Sequence, residues 1–172
     1  LAQLPQTRIP LALRVRQGEA AVEIEATVDA ATDGLPVAGS VAATGVSWEP
    51  LQRWGVPDGG SRWHARRLDL RVDGPVLRPD HLTASLEIDI GRFATGPVRW
   101  DGGRLQVGIA DGRLTLESLE ALVGPDSVSA TGAIALPESW EDMAEVSGEV
   151  RWEVSAPDVA RLVPPETALT GS

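Results

Sequence analysis

The chain has 172 residues, 42% of them hydrophobic, and its 25 acidic against 15 basic side chains give a formal net charge of −10. This composition supports a folded core and argues against disorder, while the acidity repels phosphate backbones and argues against nucleic acid as a partner. The lack of cysteine excludes thiolate metal sites, disulfide scaffolds and thiol nucleophiles, and no stretch reaches the roughly 18–20 consecutive apolar residues of a membrane-spanning helix.

Alternation of apolar and polar residues predicts half-buried strands almost throughout. Ile9, Leu11, Leu13 and Val15 share one face, with Arg8, Arg14 and Arg16 on the other. After a turn at Gln17-Gly18, Val22, Ile24, Ala26 and Val28 face inward against Glu23, Glu25, Thr27 and Asp29 outward. A third strand is expected from Leu35 to Val46. The pattern returns in Leu68, Leu70 and Val72, in Leu82 to Ile90, in Leu105, Val107 and Ile109, and in Leu114 and Leu116. Val128, Ala130, Ile134 and Leu136 follow, and Val146, Val150, Trp152 and Val154 close the series. Asp-Gly pairs at 33–34, 58–59, 73–74, 101–102 and 111–112 read as hairpin turns, because glycine supplies the positive φ such turns require. Long strands joined by short turns make an antiparallel meander, so the fold class is all-β.

Helical signal is confined to Pro50–Val56 and Pro157–Val163, each opened and followed by proline. Both carry a Pro-x5-Val-Pro frame, and each follows a Val-x-Gly-x-Val strand (Val37, Gly39, Val41; Val146, Gly148, Val150). This spacing suggests an internal repeat: residues 1–57 end one unit, and residues 58–172 form the next in one continuous sheet. Leu1 opens almost directly into a patterned strand, which reads as a segment of a longer polypeptide with any anchor outside it.

Catalytic chemistry is sparse. His64 and His81 sit in no metal-ligand or acid–base motif and read as exposed loop residues. Glu23/Glu25 and Glu87/Asp89 each place two carboxylates on one face of a strand, where solvation is their expected duty. No nucleophile elbow, phosphate loop or dinucleotide fingerprint occurs, so neither enzyme activity nor a cofactor is expected. Trp48, Trp54, Trp63, Trp100, Trp140 and Trp152 either plug the open end of a β structure or form a stacking platform.

The run Gly103-Arg-Leu-Gln-Val-Gly-Ile-Ala-Asp-Gly-Arg-Leu-Thr-Leu, continuing to Ser129-Ala-Thr-Gly-Ala-Ile-Ala-Leu-Pro137, resembles the repeat of AsmA-like and TamB-like envelope proteins. So does Val154-Ser-Ala-Pro-Asp-Val-Ala-Arg-Leu-Val-Pro164. The resemblance covers about Arg66 to Pro164. It implies a long sheet curled into a taco or half-pipe with an apolar inner face. It further implies a periplasmic location in a protein anchored in the inner membrane of a Gram-negative bacterium, and a part in phospholipid transport or outer-membrane assembly. Phospholipid acyl chains would then be the partner, held by Leu70, Val72, Leu86, Ile88, Leu105, Val107, Ile109, Leu114, Leu116, Val128 and Ile134. Terminal strands would pair with adjacent repeats or envelope proteins. The same aliphatics would equally fill the closed core of a β-sandwich binding or adhesion module recognising a protein or glycan, and the sequence leaves these two readings open.

Overall fold

The computed structural model describes residues 8–47, 61–62, 64–95 and 98–155. Among these residues nine strands form one antiparallel sheet that does not close into a barrel. In chain order they are β1 (Arg8–Gln17), β2 (Ala20–Asp29), β3 (Pro36–Ser47), β5 (His64–Pro75), β6 (Thr83–Ile90), β9 (Gly102–Ala110), β10 (Arg113–Val123), β11 (Asp126–Ala135) and β12 (Gly148–Ser155). Each pairs with the next, as an all-β meander predicts. β4 (Ser61–Arg62), β7 (Phe93–Thr95) and β8 (Val98–Trp100) make a second, three-stranded sheet that the alternation does not announce, because its strands are too short to show a period. The sheet runs unbroken across the expected unit boundary, since β3 pairs with β5 from Pro36↔Pro75 to Ser47↔His64. The two expected helical segments lie outside the described residues, as do Trp48, Trp54, Trp63 and Asp58-Gly59.

Turn chemistry explains the clearest hairpin. Asp111 and Gly112 both have positive φ, 51° and 66°, the type I′ combination that matches the twist of the flanking strands β9 and β10. Asp33-Gly34 also lies in a turn, with Gly34 at φ 84°. Two other Asp-Gly pairs do not. Asp73-Gly74 is the end of β5, still paired with Ala38 and Val37, and Gly102 begins β9. Glycine in a strand commonly marks a close backbone approach, and at Gly74 a side chain would meet the His81 carbonyl at 2.9 Å. Leu35 sits at φ 52°, so β3 starts one residue later than alternation suggests.

Register also departs from strict alternation inside β10. Leu116 pairs with Val107 and Gly132, but Leu119, three residues on, pairs with Leu105 and Ala130. Glu117 and Ser118 therefore form a β-bulge, which shifts every later residue to the opposite face. Leu119 and Ala121 join the face of Leu114 and Leu116, while Leu122 is turned outward and is 47% exposed. A second irregularity at Arg66 lets Ala65 and Leu68 share a face.

Among the described residues helical structure amounts to two 310 turns, Pro79–His81 and Trp140–Glu145. Ser139 opens the second by accepting a hydrogen bond from the Glu141 amide at 3.3 Å, as a helix N-cap does. Both turns lie at the same rim of the sheet. There Pro79, Leu82 and Leu136 are buried, the Leu136 amide donates to the Gly112 carbonyl at 2.7 Å, and the Trp140 indole donates to the Val76 carbonyl at 2.7 Å. That last bond joins the β11–β12 connection to the β5–β6 connection over the ends of the two intervening strands, β9 and β10.

Candidate functional site

Antiparallel register places facing side chains on the same side of a sheet, so rungs can be followed across the molecule. One rung reads Leu13, Ile24, Val41, Leu70, Leu86, Val107, Leu116, Gly132 and Val150. The next reads Val15, Val22, Ala43, Leu68, Ile88, Leu105, Leu119, Ala130 and Trp152, and on the other side runs Leu11, Ala26, Gly39, Val72, Ala84, Ile109, Leu114, Ile134 and Gly148. No polar residue interrupts any of the three. At about 4.8 Å between strands, such a rung runs for roughly 38 Å.

All eleven residues that the sequence nominated lie on this face. Ten occupy these rungs, and Val128 lies one rung beyond, opposite Ala121 and Val154. All are half-buried. The nomination omitted the continuation through β1–β3 (Leu13, Ile24, Val41) and the re-phased Leu119. The signal for the former was already present in the alternation. For Leu119 it was the Leu116-x-x-Leu119 spacing, which neither a strand of period 2 nor a simple turn explains.

Among the described residues little covers the face. Besides Pro79, the buried apolar side chains are Ala43, Ala65, Leu82, Ala121, Ala130 and Leu136 among the described residues, so the large aliphatics of the rungs are only partly sheltered. Exposure is greatest at the edges: Leu11 and Leu13 on β1 are 51% and 53% exposed, and Trp152 on β12 is 62% exposed. A sealed sandwich core would bury such residues almost completely. The described strands instead form an open amphipathic sheet.

Aromatic residues mark the rim opposite the 310 turns. Phe93 and Trp100 stack with ring centroids 5.5 Å apart and planes 6° from parallel. A Cβ at Gly103 would lie 3.6 Å from the Phe93 ring and 2.7 Å from the Glu120 carbonyl, so the absence of a side chain lets the short β7–β8 pair lean over the inner face. The Trp100 indole nitrogen is buried and finds no acceptor among the described residues. Trp140 serves the other rim, whereas Trp152 stands exposed on the apolar side of the last strand.

The reverse face carries the charge. Arg14 pairs with Glu23, Arg67 with Asp69, Arg104 with Glu87 at 3.5 Å and Arg66 with Asp89 at 3.8 Å. Glu23, Glu87 and Asp89, three of the four carboxylates paired in the sequence, are thus engaged with arginine on an exposed surface. Hydrogen bonds from Arg78 to Asp80, at 3.1 and 3.2 Å, hold the Asp80 carboxyl below its ordinary range, the charge of Arg78 adding to the effect. His81, in a 310 turn rather than a loop, is exposed 3.4 Å from Asp80, and His64 opens β5, also exposed. Among the described residues no three His, Asp or Glu side chains are placed to hold a metal. An open concavity of about 950 Å³ at β10–β12 takes in Arg113, Thr115, Glu117, Thr131, Glu149 and Arg151. It belongs to this polar face and is unsuited to acyl chains.

No family model, curated protein or solved structure matches this chain.

Proposed function

We propose that the apolar face is a groove that shelters phospholipid acyl chains, within a non-enzymatic segment of an AsmA-like or TamB-like envelope protein. The observation that carries this reading is the set of apolar rungs crossing nine strands without a polar break and ending exposed at both β1 and β12. Each methylene removed from water gains about 0.8 kcal/mol. The rungs' length exceeds the roughly 15 Å of one bilayer leaflet's hydrocarbon, so a chain can lie along the groove without curling. Net acidity excludes holding anionic head groups by bulk charge, which leaves the acyl chains as the recognised part. The periplasmic setting, the inner-membrane anchor and the role in lipid transport or outer-membrane assembly follow from the sequence resemblance and belong to the same proposal.

Native mass spectrometry of the purified chain, with organic extraction of what it carries, tests the reading. Phospholipid that copurifies and is lost on Ile88→Glu or Val107→Glu, in protein still folded by circular dichroism, is the expected result. Lipid-free protein that also takes up no added phospholipid would overturn it.

A further inference from the structure

The two terminal strands differ in a way that bears on assembly. Among the described residues each is paired on one side only, so each offers a ladder of backbone donors and acceptors. β1 carries Arg8, Arg14 and Arg16 on its polar side and Pro10, which lacks an amide hydrogen. Two β1 strands paired antiparallel about Ala12 would set Arg8 against Arg16 twice. β12 reads Gly148-Glu-Val-Arg-Trp-Glu-Val-Ser155, with alternating charge on one face and Val150, Trp152 and Val154 on the other.

A two-fold axis perpendicular to the sheet keeps both apolar faces on the same side and makes two copies of one edge strand antiparallel. Preserving faces restricts the register to even shifts. Centred on Arg151, the pairing sets Arg151 against itself and Glu149 against Glu153, with like charges throughout. Centred on Trp152, it sets Arg151 against Glu153 twice, Val150 against Val154 twice and Trp152 against Trp152, over Glu149 to Ser155. This second register satisfies charge and apolar pairing together.

We infer that β12 is the interface for a second copy of this chain, paired antiparallel about Trp152, so that two apolar faces join into one eighteen-stranded surface. The joined face removes the 53%, 62% and 57% exposure of Val150, Trp152 and Val154 from an open edge. On β11 the neighbours of Glu149, Arg151 and Glu153 are Ala133, Thr131 and Ser129, all uncharged; Glu149 and Glu153 flank Arg151 on its own strand, so rescue by the double charge swap is what separates the partner's effect from the strand's own. This inference stands apart from lipid binding: the edge can dimerise whether or not the face takes up lipid.

Sedimentation velocity across a concentration series reads the outcome. The unmodified chain is expected to show a monomer–dimer equilibrium. Arg151→Glu and Glu153→Arg, each replacing two attractive pairs with two repulsive ones, should each weaken it on the order of tenfold. The double variant R151E/E153R restores opposite charges across the axis and should recover most of the loss. Circular dichroism confirms folding, and Arg14→Glu on β1 should leave the equilibrium unchanged. A monomer at every soluble concentration, or association indifferent to the β12 charge swaps, would overturn the inference. So would single variants that weaken the dimer without rescue by the double variant.

Discussion

The same nine strands present two unlike faces. One is aliphatic from β1 to β12, the other is laced with arginine–carboxylate pairs. Residues adjacent in sequence, such as Ser85 and Leu86, belong to opposite faces. In a globular domain the apolar face of a sheet meets a second layer; here the described residues supply only two rims of cover, the 310 turns on one side and the Phe93–Trp100 pair on the other. Faces this different leave the aliphatic side without a second layer among the described residues, and the proposed lipid groove rests on that feature.

The sharpest way to break the comparison is a charge on the inner face. Leu86→Glu should cost about 2–4 kcal/mol in urea unfolding, since it removes aliphatic contacts and sets a carboxylate among them. Ser85→Glu, one residue away, should stay within about 0.5 kcal/mol. Next comes the aromatic rim. Phe93→Ala should lose about 1–3 kcal/mol by removing the stacked ring, whereas Trp100→Phe keeps a ring there and discards an N–H that finds no acceptor among the described residues, and should be close to neutral. At the opposite rim, Trp140→Phe removes the bond to the Val76 carbonyl and should cost about 1 kcal/mol.

The smallest effects belong to the charged face. Arg14→Ala should leave the thermal midpoint almost unchanged, because exposed ion pairs are screened and cost side-chain entropy. Asp80 gives a modest pH dependence. Its carboxyl titrates lower when folded than when unfolded, so its contribution is present above the unfolded value and disappears as pH falls through the depressed folded one. Arg78→Ala should flatten that part of an acid-unfolding curve.

Much of this architecture was legible in the sequence because a period of two is a direct consequence of strand geometry. Leu105, Val107 and Ile109 followed by Asp111-Gly112 and Leu114 define a hairpin with little room for another solution. The bulge at Glu117 was not legible, since Leu116 and Leu119 break the period and only their pairing with Leu105, Val107, Ala130 and Gly132 assigns the phase. Nor were β4, β7 and β8, whose few residues are placed by the rim they cover. Asp73-Gly74 and Asp101-Gly102 show the limit of turn chemistry: glycine accepts a turn but also serves a crowded strand end. The inner face itself was readable, yet whether it would be sealed could be decided only by exposure and topology.

Photo-crosslinking tests the two-faced account most directly. A benzophenone amino acid placed singly at consecutive positions of β9 and β10, with a phospholipid present, should label lipid at Leu105, Val107, Leu114 and Leu116 and spare Gln106 and Thr115. Past the bulge the phase must change, so that Leu119 labels and Ser118 does not. Labelling that ignores this parity, or none at any inner position, would contradict the claim that the apolar face is the lipid-bearing surface.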